Sequence, residues 1–241
     1  MTVRKRHGSY GFDAPWALAG LLFGALVLIG LAAISFAFDI IAAGIAFLLG
    51  ALYTLASAAS YLYTTRRGKF VVWDAELGRL KGDERLLDLG CGRGAVLLMA
   101  AGRLDRGHAA GIDLWRAKDQ SGNAESTARA NAEAEGVSDR VELVTGDLRD
   151  LPFDDGAFDV VVSSQAIHNI PDTGGREQAV REAYRVLRPG GLMLLADFQH
   201  TPAYEATLRA LGVVDVRLRD AGWRFWYGGP WFATGIVEAR K

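Results

Sequence analysis

Hydrophobic positions along this chain change rhythm twice. From Pro15 to Phe38 the only polar side chain is Ser35, and after Asp39 a second uncharged run extends from Ile40 to Tyr63. At about 1.5 Å per residue, a helix of either length crosses a hydrocarbon core of roughly 30 Å. A cleaved signal peptide has a shorter apolar region, of about 7–15 residues, and no second span behind it. Residues 1–63 therefore predict a basic segment followed by a transmembrane helical hairpin, with spans at 15–38 and 40–63. Residues 64–83 read as a juxtamembrane linker. Within it Lys69-Phe70-Val71-Val72-Trp73, Leu77 and Leu80 predict a short amphipathic helix, lying on the membrane surface or covering a cleft.

From Glu84 onward, short apolar runs alternate with helical stretches. The runs are Arg85–Leu89, Ala109–Asp113, Val141–Thr145, Phe158–Ser163 and Leu192–Asp197, with helices expected at Asn123–Glu135 and Arg176–Leu187. Such alternation predicts an α/β domain over 84–241 with a doubly wound, mostly parallel sheet. Val213–Leu218, Gly222–Tyr227 and Trp231–Ala239, turning at Gly228-Gly229-Pro230, predict a terminal antiparallel hairpin. Ligands of doubly wound sheets bind outside the carboxyl ends of the strands.

The flanks set an orientation. Arg4, Lys5, Arg6 and His7 precede the first span, and Arg66, Arg67 and Lys69 follow the second. Positive residues stay on the cytoplasmic side, so an integral membrane protein is expected, with both termini and the domain on that face and Asp39 at the far turn. Trp16, Tyr61 and Tyr63 are expected at the near interface. Gly20 and Gly24 face one way, and Gly50-Ala51 offers a second small surface. Packing within the hairpin is the favoured reading, a homodimer face the sharper one.

Lys and Arg total 27 against 28 Asp and Glu, a net charge of −1, which argues against a nucleic-acid partner. Cys91 is the only cysteine, so one chain holds neither a disulfide framework nor a cysteine-rich zinc site, and no metal is assigned.

The chemistry concentrates after the first strand of the domain. Leu86-Leu87-Asp88-Leu89-Gly90-Cys91-Gly92-Arg93-Gly94 is a buried strand running into a glycine turn and then the apolar helix Ala95–Ala101. Glycine allows the sharp bend and a close approach to a ligand, and the helix start presents free N–H groups. A dinucleotide loop wants G-x-G-x-x-G; here the spacing is G-x-G-x-G with Ala95 in the third slot, which spacing alone leaves open to NAD. Asp113, about 20 residues on, suits ribose hydroxyls in either reading.

The ordered set of that loop, Gly111-Ile112-Asp113, Gly146-Asp147-Leu148, Phe158–Ser163 and Arg185-Val186-Leu187-Arg188-Pro189-Gly190-Gly191 resembles the class I S-adenosylmethionine-dependent methyltransferases. It is similar in particular to the small-molecule group that includes the ubiquinone/menaquinone methyltransferases. The resemblance covers roughly Leu80 to Lys241 and implies a seven-stranded Rossmann-like sheet with S-adenosylmethionine as cofactor. It implies that Asp88 and the Gly90–Gly94 backbone, Cys91 and Gly92 included, hold the methionine portion and sugar. Asp113 would take the ribose hydroxyls, Leu114 and Trp115 pack on adenine, and Asp147 with the Leu148 backbone meet the adenine edge. Ser164 and Gln165 would line the junction with the substrate. Arg185–Gly191 would be structural, a helix ending at Arg188 and a glycine turn into the fifth strand.

No Asn/Asp-Pro-Pro-Tyr follows the fourth strand, where Ser163-Ser164-Gln165-Ala166 stands, so methylation of nucleobase or glutamine amides is disfavoured. His168 is the first candidate for a general base and His200, after the fifth strand, the second. The polar insertion Trp115–Asn123 reads as a substrate determinant or a loop in which Ser121 or Asn123 caps the next helix. Trp223-Arg224-Phe225-Trp226-Tyr227 with Trp231 and Phe232 would pack the hairpin, meet the membrane interface or wall a pocket. The whole predicts a membrane-anchored methyltransferase acting on a small lipophilic acceptor: a phenol or quinone, a thiol or a lipid headgroup. The alternative is an inactive cofactor-binding membrane scaffold or partner subunit.

Overall fold

The computed structural model describes residues 6–116 and 120–241. Arg4 and Lys5, and Ala117-Lys118-Asp119 of the polar insertion, lie outside the described residues.

Two apolar helices open the fold, α1 over Pro15–Ala37 and α2 over Ile41–Tyr63, each long enough to cross a membrane. Pro15 stands at the start of α1, where its missing N–H costs nothing. Asp39 takes a left-handed φ of 58° in the turn between them. The helices pack on each other through small side chains: Ala25, Ala32 and Ala51 are buried, and a Cβ on Gly44 would come 2.4 Å from the Phe36 ring. Close approach thus centres on Gly44. Gly24 and Gly50 sit at ordinary contact distance from Thr54 and Leu28, and Gly20 faces open space.

Residues 64–77 are not a linker. A π-helical turn, Thr64–Gly68, carries α2 directly into α3, Lys69–Leu77, so one helix runs from Ile41 to Leu77. No proline interrupts this stretch, and π turns, rare in general, occur mostly as single turns inside longer helices, frequently at functional sites. The apolar side of α3 is buried: Phe70, Trp73 and Leu77 join a core layer with Leu97 and Met99. The amphipathic helix therefore covers the domain instead of lying on a membrane surface.

The sheet has seven strands in the order β3-β2-β1-β4-β5-β7-β6. β1 is Arg85–Leu89, β2 His108–Asp113, β3 Val141–Thr145, β4 Phe158–Ser164, β5 Leu187–Asp197, β6 Val216–Asp220 and β7 Gly235–Arg240. β1 to β5 run parallel, and β7 is antiparallel to both β5 and β6. Alternation of side chains sends Leu86 and Val162 to one core layer and Leu87 and Val161 to the other. Between the strands lie α4 (Ala95–Ala101), α5 (Glu125–Glu135), α6 (Thr173–Val186) and α7 (Thr201–Ala210). β1 sits beside both β2 and β4, so the crevice of the topological switch point opens above its carboxyl end.

Three local expectations shift. Gly222–Tyr227 forms no strand; Ala221–Thr234 is a loop with 3-10 turns at Trp223–Phe225 and Pro230–Phe232. Its aromatic side chains are used in docking onto the α2–α3 helix, where Tyr63 stacks on Trp223 and Tyr61 meets Tyr227 edge-on. Tyr61 is consequently buried instead of facing an interface. α6 ends at Val186, and β5 already begins at Leu187, with Gly190 at φ 78°. Neither Ser121 nor Asn123 caps α5, whose N-cap is Ala124 without a side-chain bond.

Before α1, residues 6–14 form a strap across the domain. The backbone N–H groups of His7 and Gly8, and the Tyr10 hydroxyl, donate to Glu135 Oε1 at 2.8–3.0 Å. Ser9 and Asn131 exchange two bonds, and Phe12 pairs with the Ser121 hydroxyl.

Candidate active site

The glycine turn is built by backbone bonds. Gly90 and Cys91 N–H both donate to Ile112 O, at 2.8 and 3.2 Å, which folds the loop back onto β2. Gly90, Gly92 and Gly94 have φ of 71°, 52° and 83°, the region that favours glycine. A Cβ on Gly90 would sit 2.2 Å from the Ala166 Cβ, so the loop packs directly against the methyl group that begins the turn after β4. Gly94 does not line the crevice; it enters α4 and packs near Leu98.

Asp113 closes the loop from below. Its Oδ2 accepts from Gly92 N–H at 2.9 Å, and its Oδ1 accepts from Trp115 N–H and Asn123 Nδ2 at 2.6 and 3.2 Å. A carboxylate has about four lone-pair sites, so one edge still serves the cavity it lines. Asn123, missed by sequence reasoning as a site residue, is buried with its Oδ1 unpartnered and lines the same space. Trp115, in contrast, turns away at φ 55° and donates from its ring to Thr145 Oγ1 at 2.8 Å. It packs on the core layer while Leu114, exposed, faces the cavity.

Asp147 and Leu148 also line the space, but the Asp147 carboxylate is gripped by the Arg149 guanidinium at 2.6–3.1 Å. That side-chain pairing holds the Asp147 carboxyl below the usual carboxylate range.

On the other rim, Ser164 Oγ accepts from Trp73 Nε1 at 2.9 Å, which ties α3 to the end of β4. Gln165, at φ 57°, donates to Thr234 Oγ1 at 2.9 Å and accepts from Phe198 N–H at 3.3 Å. His168 lines the cavity on the short turn after β4. Its Nδ1 lies 2.8 Å from Asp197 Oδ1, outside hydrogen-bond geometry. Asp197 itself is buried and accepts from the Tyr204 hydroxyl and His168 N–H. His200 has a different place: it is exposed, starts α7 at φ 62° and does not line the cavity.

These residues surround one cavity of about 750 Å³. Its floor is the loop with Asp88, Gly90, Cys91 and Gly92. Its roof comes mostly from outside the alternating domain: Asp13 of the N-terminal strap, Ala17 of α1, and Phe70 and Trp73 of α3, joined by Tyr227 of the terminal loop. The sequence carried a partial signal for α3 in its amphipathic pattern and none for Asp13.

A family profile described as "Methyltransferase domain" matches residues 87–195, from the glycine loop through β5. Residues 87–195 thus carry a methyltransferase domain, similar to those of the class I S-adenosylmethionine-dependent methyltransferases. The chain is 35% identical over 122 residues to the ubiquinone/menaquinone biosynthesis C-methyltransferase UbiE of Roseobacter denitrificans, covering 51% of this chain and 45% of that protein. It is 36% identical over 126 residues to 27-O-demethylrifamycin SV methyltransferase of Amycolatopsis mediterranei, covering 52% and 42%. The chain thus spans about half the length of the curated relatives it matches. Among solved structures, the [4+2]-cyclase SpnF shares the fold with a TM-score of 0.58 at 23% identity, over 72% of this chain and 81% of that one.

The methyltransferase cofactor, S-adenosylmethionine, fits the residues present. Asp88 is buried, its Oδ2 accepts from Leu97 N–H at 2.9 Å, and its Oδ1 is buried without a partner beside the glycine cradle. A free buried carboxylate oxygen next to a glycine floor is a seat for a cationic group. Burial pushes the Asp88 carboxyl up to about 7. A group raised in this way keeps its proton when folded but loses it when unfolded, across the window from 3.8 to about 7. Its contribution to stability is full below 3.8 and is lost as pH rises through that window. The unfolding free energy of the ligand-free chain should therefore fall relative to Asp88→Asn between pH 4 and 7, measured by thermal or denaturant unfolding. A constant difference across that range would remove the assignment.

Proposed function

We propose that this chain is a membrane-anchored methyltransferase that moves a methyl group from S-adenosylmethionine to a lipophilic acceptor, a phenol or quinone, a thiol or a lipid headgroup. One observation carries the reading: a single cavity is lined at one end by the glycine loop and at the other by the inner turns of α1 and α2. Membrane insertion is supported by burial. Only 11% of the most apolar window of the first helix, and 22% of the second, is buried, whereas a core helix would be mostly covered. Trp16 at the start of α1, and Trp223 and Trp231 on the terminal loop, are exposed, which is consistent with aromatic side chains at a membrane interface. Arg66 and Arg67, exposed beside the domain, support placing the domain on the cytoplasmic face. The name of the Roseobacter relative supports a quinone precursor as the first acceptor to test.

Bound S-adenosylmethionine supplies an electrophilic methyl group. The residues around it have three tasks. The Gly90–Gly92 backbone and Asp113 orient, Phe70, Trp73 and Phe198 exclude water, and His168 takes a proton from an acidic acceptor group. Asp197 fixes the imidazole and compensates the charge of the captured proton. Incubation of the full chain with isotopically labelled methyl donor and a membrane lipid extract should put the label into a lipid-soluble product. Asp113→Ala should abolish that transfer, and His168→Ala should lower kcat about 100-fold with cofactor affinity unchanged, within the usual range for a general base. Labelling of water-soluble acceptors only, indifferent to lipid, would overturn the lipophilic reading; full turnover by His168→Ala would remove the base.

A further inference from the structure

Above the glycine loop the cavity rises into the hairpin. Ala17, Gly20 and Leu21 of α1 face Tyr53, Thr54 and Ser57 of α2 along it. At about 1.5 Å per residue, Leu21 is roughly 9 Å from the start of α1 and Tyr53 roughly 15 Å from the end of α2. The opening therefore lies within the apolar helices, not at their foot. Gly20 is exposed and has nothing within 4 Å of the position of a Cβ, so this stretch of wall is a gap between side chains.

Between gap and glycine loop stands a polar cluster to which the profile-matched segment supplies only Gln120. Lys69, 6% exposed, donates to both oxygens of Asp13 at 2.7 and 2.9 Å. The Tyr227 hydroxyl donates to Asp13 Oδ2 at 2.9 Å, and Gln120 Nε2 to Asp13 Oδ1 at 3.1 Å. All of these residues line the cavity, Tyr227 reaching in from the loop docked on α2. An ammonium has three donors, and Asp13 takes two of them; the Tyr227 oxygen donates once and keeps its lone pairs. The cluster thus has one N–H to give and one oxygen to receive, the complement of a single hydroxyl. Burial, followed by the Asp13 charge, pushes the Tyr227 phenol well above its ordinary value, so it stays protonated.

We infer that the acceptor enters sideways from the bilayer through the gap at Gly20, between α1 and α2, and that Lys69 and Tyr227 hold the hydroxyl of an alkyl-substituted phenol. This rests on the methyltransferase reading and names the route and the polar contact for its acceptor. The apolar tail lies between the helices, and the ring spans from there to the cluster, with its hydroxyl end toward the glycine loop. A cavity of about 750 Å³ is in the upper part of the range of roughly 300–1,000 Å³ found for ligand sites, room for a cofactor and a ring together.

The test uses the full chain in lipid nanodiscs with S-adenosylhomocysteine bound, and calorimetry with 4-decylphenol, decylbenzene and phenol. Wild type should bind 4-decylphenol more tightly than either of the other two. Gly20→Phe fills the gap and should weaken 4-decylphenol by at least about tenfold, a change of 1.4 kcal/mol. Gly30→Phe is the control, since Gly30 also faces open space on α1 but does not line the cavity; it should bind as wild type does. Tyr227→Phe keeps the ring and should erase the preference for 4-decylphenol over decylbenzene. Equal binding by Gly20→Phe and Gly30→Phe, or no binding of 4-decylphenol by wild type, overturns the inference. So does retention of a phospholipid in the gap that 4-decylphenol fails to displace, read by native mass spectrometry. S-Adenosylhomocysteine affinity reports separately on the cofactor site. Label transfer to membrane lipids with an unplugged, unselective gap would sink the portal and leave the methyltransferase reading standing.

Discussion

Gly90→Ala is expected to weaken S-adenosylhomocysteine binding by at least about 100-fold while the sheet stays folded. Two costs add at this residue. A left-handed φ of 71° costs an L side chain about 1–2 kcal/mol. The new Cβ would also sit 2.2 Å from Ala166, and such overpacking costs about 1–3 kcal/mol. A loss near 3 kcal/mol corresponds to roughly 100-fold at 1.4 kcal/mol per decade. The loop escapes by lifting from β2, which breaks the 2.8 Å bond from Gly90 N–H to Ile112 O and moves the cofactor floor. Ala166 also begins the turn that carries His168, so the displacement reaches the candidate base. The double variant Gly90→Ala/Ala166→Gly removes the contact and leaves the φ cost, so it should recover about tenfold or more. Calorimetry on both variants, with circular dichroism for fold, decides it. Wild-type affinity in the single variant would mean that the loop does not form the floor.

Gly68→Ala should be the most destabilising single-methyl change in the helical region. Gly68 has ordinary helical dihedrals, so strain in φ is not the reason. Its hydrogen faces the terminal loop, and a Cβ would lie 1.8 Å from the Arg224 carbonyl oxygen and 3.1 Å from the Tyr63 ring. Backbone stands on both sides of the contact, so neither can rotate away, unlike a flexible side chain. The loop must lift. Thr64 Oγ1 then loses its 2.7 Å bond to Trp226 O, Ser60 its 3.2 Å bond to the same oxygen, and Tyr61 its edge contact with Tyr227. At about 1 kcal/mol per hydrogen bond and up to about 3 kcal/mol for overpacking, the loss is about 3 kcal/mol or more. For a chain of this size that lowers Tm by roughly 6–12 °C. Trypsin should cut faster at Arg224 in the variant, because the loop is freed. Gly30→Ala, in open space on α1, should melt as wild type does. Coincident melting of Gly68→Ala and wild type would show that the loop does not dock on the α2–α3 helix.

Residues set by local spacing are the legible part of the candidate site. Gly90, Gly92 and Asp113 announce themselves because a tight turn and an acid at a strand end are local solutions, readable from spacing. Asp88 was legible as a strand-end acid, though its unpartnered oxygen was not. His168 was legible by position after β4. Its contact with Asp197, 29 residues on in sequence, was not, since it needs β4 and β5 side by side. Trp115 shows the opposite error: a resemblance placed it on the cofactor, and a positive φ swings its ring to Thr145 instead. The aromatic run 223–227 reads as a strand by composition, yet it is a loop, because its rings are worth more against Tyr61 and Tyr63 than in a ladder.

By itself, the sequence determined what periodicity and spacing encode over a few turns or strands: two apolar helices, a parallel α/β sheet with an antiparallel end, and the glycine loop. Each arises from neighbours within a short stretch of chain, where burial pattern and backbone preference act together. Only the tertiary structure decided that α2 and α3 are one helix docked into the domain, and that a strap and a terminal loop close the roof. The bonds of that roof join residues 56 apart, Lys69 to Asp13, and 214 apart, Tyr227 to Asp13. No local pattern carries such a pairing, because its stability comes from packing that exists only after the sheet, the hairpin and both chain ends have met.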